Sequence, residues 1–118
     1  MKKYLIPLSL LTLGLGASSV IQAQDLEFDL DRTWKKNCRK CHAADGSGST
    51  PAGKKLKVKD YTKAEDQALF TDEEAMVAIR DGVMGPDGKS VMDAYPDYSE
   101  AQLQALVELV RSFAKASE

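Results

Sequence analysis

The chain has 118 residues, 43% of them hydrophobic and 29% charged, and a formal net charge of −2. That length holds one small domain, and the acidic balance argues against nucleic acid as a partner. Two cysteines admit at most one disulfide, and a single histidine excludes any site built on two imidazoles.

Residues 1–23 have the three-part layout of a secretory signal peptide: Lys2 and Lys3, an uncharged apolar run, and a small-residue exit "IQA" ending at Ala23. The run is long enough for a transmembrane anchor to be weighed, but Pro7, Gly14, Gly16 and the Ser and Thr residues within it favour a cleaved signal. Cleavage after Ala23 leaves residues 24–118 as a single exported domain, expected in the periplasm and off the membrane. Charge along it is uneven. Residues 32–63 carry ten basic side chains, from Arg32, Lys35, Lys36, Arg39 and Lys40 to Lys63, against two acids, whereas residues 64–118 carry four basic and twelve acidic.

In "EFDLDRTWKKNCRKC" the residues Phe28, Leu30 or Asp31, Trp34, Cys38 and Cys41 fall at helical spacing with basic side chains on the other faces, which predicts a helix over residues 27–41. "AADGSGSTPAG" has loop composition. After the basic stretch "KKLKVKD", Thr62 and Glu65 form a T-x-x-E box that predicts a short helix to Phe70. Thr71 with Glu74 repeats the box, for a helix to Asp81 stopped by Gly82. "VMGPDGKSVMDAYPDY" has no period and is expected to be an irregular loop, long enough in so small a domain to be functional. Ser99 and Gln102 then open a last helix whose apolar face is Leu103, Leu106, Val107, Val110 and Phe113 or Ala114. No segment alternates at period two, so the expected fold is all-α.

Cys38, Cys41 and His42 make Cys-x-x-Cys-His, the attachment sequence of c-type haem. The two thiols add across the two porphyrin vinyl groups, and the adjacent imidazole binds iron as the proximal ligand. The competing readings are weaker. A structural zinc site needs four ligands, and no second Cys/His pair completes the set. A thioredoxin-like dithiol expects a βαβ context, and a disulfide of this spacing closes too short a ring to restrain the unfolded chain. A covalent haem would also supply the core that a domain of this size is short of.

What fills the sixth iron position decides the function. Beyond Met1, the thioether candidates are Met76, Met84 and Met92. Met76, among Ala75, Val77 and Ile79, reads as core packing. Met84 and Met92 share the long loop; Met92, a few residues before the last helix, is favoured over Met84. A deprotonated Lys89 and an open sixth site are the alternatives.

From about residue 27 to 115 the chain resembles the class I, single-haem cytochromes c, especially the short bacterial and algal c6-like carriers, through "W…NCRKCH", "DGSGSTPAGKKL", "AIRDGV" and "GKSVMDAYPDYSEAQLQALVELVRSF". The resemblance implies terminal helices packed across each other around one haem c, bound covalently at Cys38 and Cys41, with His42 proximal and Met92 distal. It also implies that the Pro51 carbonyl accepts the His42 ring N–H, that Trp34 packs at the helix crossing, and that Tyr95 is the aromatic that follows the ligand methionine. A six-coordinate iron leaves no position for substrate, so the expected role is electron transfer and not catalysis. The expected partners are redox proteins that meet a monomeric carrier, with an acidic docking patch facing the basic residues of 32–63. A haem sensor or peroxidase-like protein with an open sixth site, or a fixed haem subunit of an oxidoreductase, are the other readings.

Overall fold

The computed structural model describes residues 27–117 together with Gly14 and Gly16. The signal-peptide reading therefore lies outside the described residues, apart from those two glycines. Among the described residues no helix is long and apolar enough to cross a membrane.

The first helix, α1, is built in three consecutive pieces: an α-helical turn Leu30–Thr33, a π-helical segment Trp34–Cys38 and a second α-helical turn Arg39–His42. It starts three residues later than the spacing predicts because Asp29 takes the N-cap, its carboxylate accepting from the Arg32 N–H. The π segment, in which the Arg39 N–H reaches back to the Trp34 carbonyl, places one extra residue in the turn directly before the cysteine pair. The loop that follows contains a short helix the composition did not reveal, α2 (Pro51–Leu56). Thr50 caps it by accepting from the Gly53 N–H, and Pro51 sits at its first turn, where no N–H is needed.

Helix α3 spans only Ala64–Gln67. The expected Thr62–Glu65 box is not made: the Thr62 hydroxyl donates to the Asp60 carboxylate instead, and Lys63 becomes an N-cap without a side-chain bond. Helices α4 (Asp72–Asp81) and α5 (Glu100–Ala116) form as predicted, each opened by a complete capping box, Thr71 with Glu74 and Ser99 with Gln102. Gly82 ends α4 at φ +75°.

The segment expected to be irregular holds a small antiparallel hairpin, β1 (Val83–Met84) and β2 (Ser90–Met92), with Val83 opposite Met92 and Met84 opposite Ser90 across a bulge. Strands of two and three residues are too short to show a period, which is why they escape sequence reading. The fold remains mostly helical.

Leu103, Leu106, Val107 and Val110 of α5 are all buried, and Leu103 and Val107 close on Met76 of α4 with Ala75, Ile79 and Tyr98 half-buried around them. Met76 is thus core, as its neighbours in sequence implied. Helix α1 meets α5 where Trp34 packs on Phe113 at a ring separation of 5.1 Å. A polar clamp ties α3 to the same helix. The buried Gln67 amide donates to the Tyr61 and Val110 carbonyls at 2.8 and 2.7 Å. Arg111 donates to the Gln67 carbonyl and side chain, to the Phe70 carbonyl and to Asp72, with its guanidinium 4.4 Å above the Phe70 ring.

Candidate haem-attachment site

Cys38 ends the π segment of α1, and Cys41 and His42 occupy the α-helical turn that follows. Both cysteines are free thiols and half-buried, which removes the disulfide reading. Burial pushes the Cys38 thiol up to about 11. A catalytic dithiol uses a depressed thiol pKa, and burial of Cys38 works in the opposite direction. Among the described residues no group of three or more His, Cys, Asp or Glu side chains is placed to hold a metal ion, so a protein-only zinc site is not formed.

The turn after His42 is held from the outside. The Thr50 hydroxyl donates to the Cys41 carbonyl at 3.1 Å, the Gly48 N–H to the His42 carbonyl at 2.9 Å, and the Trp34 indole N–H to the Ala43 carbonyl at 3.0 Å. These bonds take up carbonyls that the end of a helix leaves orphaned. Ala43 itself is at φ +65° and ψ 169°, a region essentially restricted to glycine, so the residue after the histidine is strained at a cost of about 1–3 kcal/mol.

The His42 ring lies between two aromatics, stacked on Tyr61 at 5.2 Å and 21° and tilted against Trp34 at 5.9 Å. Burial lowers its pKa below the ordinary imidazole value, which keeps the ring neutral and its lone pair available at neutral pH. Its Nδ1 is buried and makes no hydrogen bond to the protein. The expected bond from this ring to the Pro51 carbonyl is therefore not formed: Pro51 is exposed and serves as the first residue of α2. A neutral imidazole held between Tyr61 and Trp34, one residue beyond a pair of free, half-buried thiols, fits a covalent haem with its iron on His42.

The methionines divide by exposure. Met76 is core, Met84 is 64% exposed, and Met92 is half-buried in β2. The backbone around Met92 is fixed at both ends. A side chain at Gly82 would collide with the Met92 carbonyl, and the Tyr95 N–H donates to the Ile79 carbonyl at 2.9 Å. Tyr95 then reaches α1, its hydroxyl donating to the Asn37 carbonyl at 3.3 Å. Burial holds the Tyr61, Tyr95 and Tyr98 phenols above their ordinary pKa, with the nearby Cys38 pushing the same way in each. Sequence reading singled out Trp34 and Tyr95 but missed Asn37, Tyr61 and Tyr98. The available clue was that Asn37 directly precedes the first cysteine.

Comparison with known proteins agrees with this geometry. A family model described as cytochrome C oxidase, cbb3-type, subunit III matches residues 29–110. Among solved structures, the KustC0563 c-type cytochrome is similar, with a TM-score of 0.59 and 29% sequence identity over 73% of this chain and 98% of that one. No curated protein matches the sequence.

Proposed function

The chain belongs to this cytochrome C oxidase, cbb3-type, subunit III family and is a class I cytochrome c with one covalently bound haem c, and from that premise we propose a periplasmic carrier of single electrons whose iron is held by His42 and Met92. The observation that carries the ligand assignment is the contrast among the methionines: Met76 is committed to the α4–α5 core, Met84 points into solvent, and Met92 is half-buried on a strand braced against Gly82 and Tyr95. Haem supplies a one-electron couple at its iron, and thioether ligation favours the reduced state. The protein's part is to hold both axial groups through the change of charge: Thr50, Gly48 and Trp34 fix the His42 turn, and the bonds of Tyr95 fix the strand end that bears Met92. With both positions taken, no site for substrate remains, which is why the reading is a carrier and not an enzyme.

The test is the ferric absorption spectrum of the protein matured with haem-attachment machinery. The weak long-wavelength band of methionine-to-iron(III) charge transfer is expected in the native chain and in Met84→Ala, and is expected to vanish in Met92→Ala. Its absence from the native protein, with ready binding of carbon monoxide to the ferrous form, would move the function to sensors or peroxidases.

The ten basic residues of 32–63 are all exposed. Of these ten, Arg32, 3.7 Å from Asp29, and Lys63, 3.9 Å from Asp60, are ion-paired. Eight uncompensated cations near the attachment helix and α2 support a positive docking face that steers the carrier to an acidic patch on a redox protein. The association rate with such a partner is expected to fall about tenfold or more as salt is raised, read by stopped flow. A salt-independent rate would remove the steering claim. The family's description as an oxidase subunit supports one further reading, a haem subunit fixed in a larger complex, and co-purification would reveal it.

A further inference from the structure

Two hydrogen bonds cross between the helix that carries the cysteines and the segment that carries Met92, and both end on Asn37. Its side-chain Nδ2 donates to the Tyr98 hydroxyl at 2.8 Å, and its backbone carbonyl accepts from the Tyr95 hydroxyl at 3.3 Å. The two tyrosine rings are stacked, 5.3 Å apart and within 10° of parallel, and Phe28 sets its edge against the outer one at 5.7 Å. Tyr98 also leans on the Met76, Leu103 and Val107 cluster.

The position of Asn37 is specific. It lies in the π-helical segment Trp34–Cys38, immediately before the first thiol. One extra residue per turn redirects every side chain beyond it by about 100°, and such insertions concentrate at functional sites. The phenols that reach Asn37 follow Met92 by three and six residues on a stretch whose start is already fixed by the Tyr95–Ile79 bond. Met92 can leave its place by a hairpin movement only if the stretch between it and α5 gives way, and Asn37 holds that stretch to the attachment helix.

We propose that Asn37, Tyr95 and Tyr98 form a clasp that keeps the Met92 arm closed, which makes Asn37 and Tyr98 positioning residues for the sixth iron ligand. The proposal rests on the assignment of Met92 as that ligand. Its physical content is an equilibrium between a closed and an open arm, and any added ligand for ferric iron reads the open fraction directly, since its apparent affinity scales with that fraction.

Imidazole is the probe. It is titrated into the ferric haem-bound protein, following loss of the methionine charge-transfer band, for the native chain, Tyr98→Phe, Asn37→Ala and the double variant. Tyr98→Phe keeps the stacked ring and removes one hydroxyl, so it stays folded if Asn37→Ala does not. One hydrogen bond of this kind shifts an equilibrium by roughly five- to tenfold. Each single variant is therefore expected to bind imidazole roughly five- to tenfold more tightly, and the double variant no more tightly than either, because both remove the same bond. The folding equilibrium, read by guanidinium unfolding and far-UV circular dichroism, is expected to fall by no more than the same five- to tenfold, because the open arm and the unfolded chain both lack the bond. Unchanged imidazole affinities, or shifts that simply add in the double variant, overturn the clasp. A native protein without the band overturns the ligand assignment and the clasp with it, so the two failures are told apart by the first spectrum recorded.

Discussion

The chain made without haem attachment, or with Cys38 and Cys41 both replaced by serine, is expected to lack a cooperative unfolding transition and to show little near-UV dichroism and little amide protection outside α5. The reason is how thin the protein's own core is. Among the described residues the buried apolar side chains are Trp34, Met76, Leu103, Leu106, Val107 and Val110. Four of the six belong to α5, so most of what is buried is one helix seen from its apolar side. Against them stand five large apolar side chains left exposed, Leu56, Leu69, Val77, Val83 and Met84. Each buried aliphatic side chain contributes about 1.5–3 kcal/mol, and six of them do not offset the ordering of a chain this long. The groups gathered around the cysteine-bearing helix, namely His42, Tyr61, Tyr95 and Tyr98, are only half-buried by protein, and so is Met92. A covalently bound haem would complete the core that these residues leave open. A haem-free chain that unfolds cooperatively in urea with native-like exchange protection would show this core to be sufficient and would overturn the prediction.

Local chemistry was legible in the sequence and distant chemistry was not. The two capping boxes at Thr71 and Ser99 were readable because hydroxyl, backbone and carboxylate or amide lie within three residues of each other. The apolar face of α5 was readable because its period is that of a helix, and the Cys-x-x-Cys-His motif because haem chemistry requires that spacing. The failures have physical causes too. Thr62 makes no box because the helix starts one residue later, with Lys63 at the N-cap, and its hydroxyl instead donates to the Asp60 carboxylate two residues away. The π segment of α1 escaped because a one-residue insertion leaves the hydrophobic pattern almost unchanged. Pro51 was assigned a bond to His42, but as the first residue of a capped helix it is turned to other work. The clasp at Asn37 and the Arg111 clamp join residues 61 and 44 positions apart, and nothing in a single sequence marks such pairs.

The arrangement divides the labour of the site between its two ends. The proximal end is fixed by three bonds to consecutive carbonyls around a strained Ala43, from Thr50, Gly48 and Trp34, and is supported from outside by α2. The methionine end is fixed by side chains that reach across, through single hydrogen bonds that each contribute about 1 kcal/mol. A fault in the proximal support should therefore cost global stability, whereas a fault at the other end should first loosen a ligand.

Gly53→Ala is expected to destabilise the haem-bound protein by about 1–3 kcal/mol, although helix propensity points the other way. Gly53 is the third residue of α2, where alanine is intrinsically better than glycine by about 1 kcal/mol. The site forbids it. Gly53 is buried, and a β-carbon there would overlap the carbonyl oxygens of Cys41 and Gly48, with the Thr50 hydroxyl also in contact at 3.0 Å. The two carbonyls are backbone atoms in the turn that holds His42, so they cannot swing aside as a side chain would. To admit the methyl, α2 must lift from that turn, and the bond lost in doing so is that of the Thr50 hydroxyl to the Cys41 carbonyl. Overpacking of this kind costs about 1–3 kcal/mol and the lost hydrogen bond about 1 more, which together exceed the propensity gain. Lys55→Ala, an exposed position on the same helix, isolates the propensity effect and is expected to change stability by less than about 0.5 kcal/mol. Guanidinium midpoints of the two variants and the native protein decide the matter. If Gly53→Ala unfolds at or above the native midpoint, α2 does not press on the His42 turn, and the support ascribed to it fails.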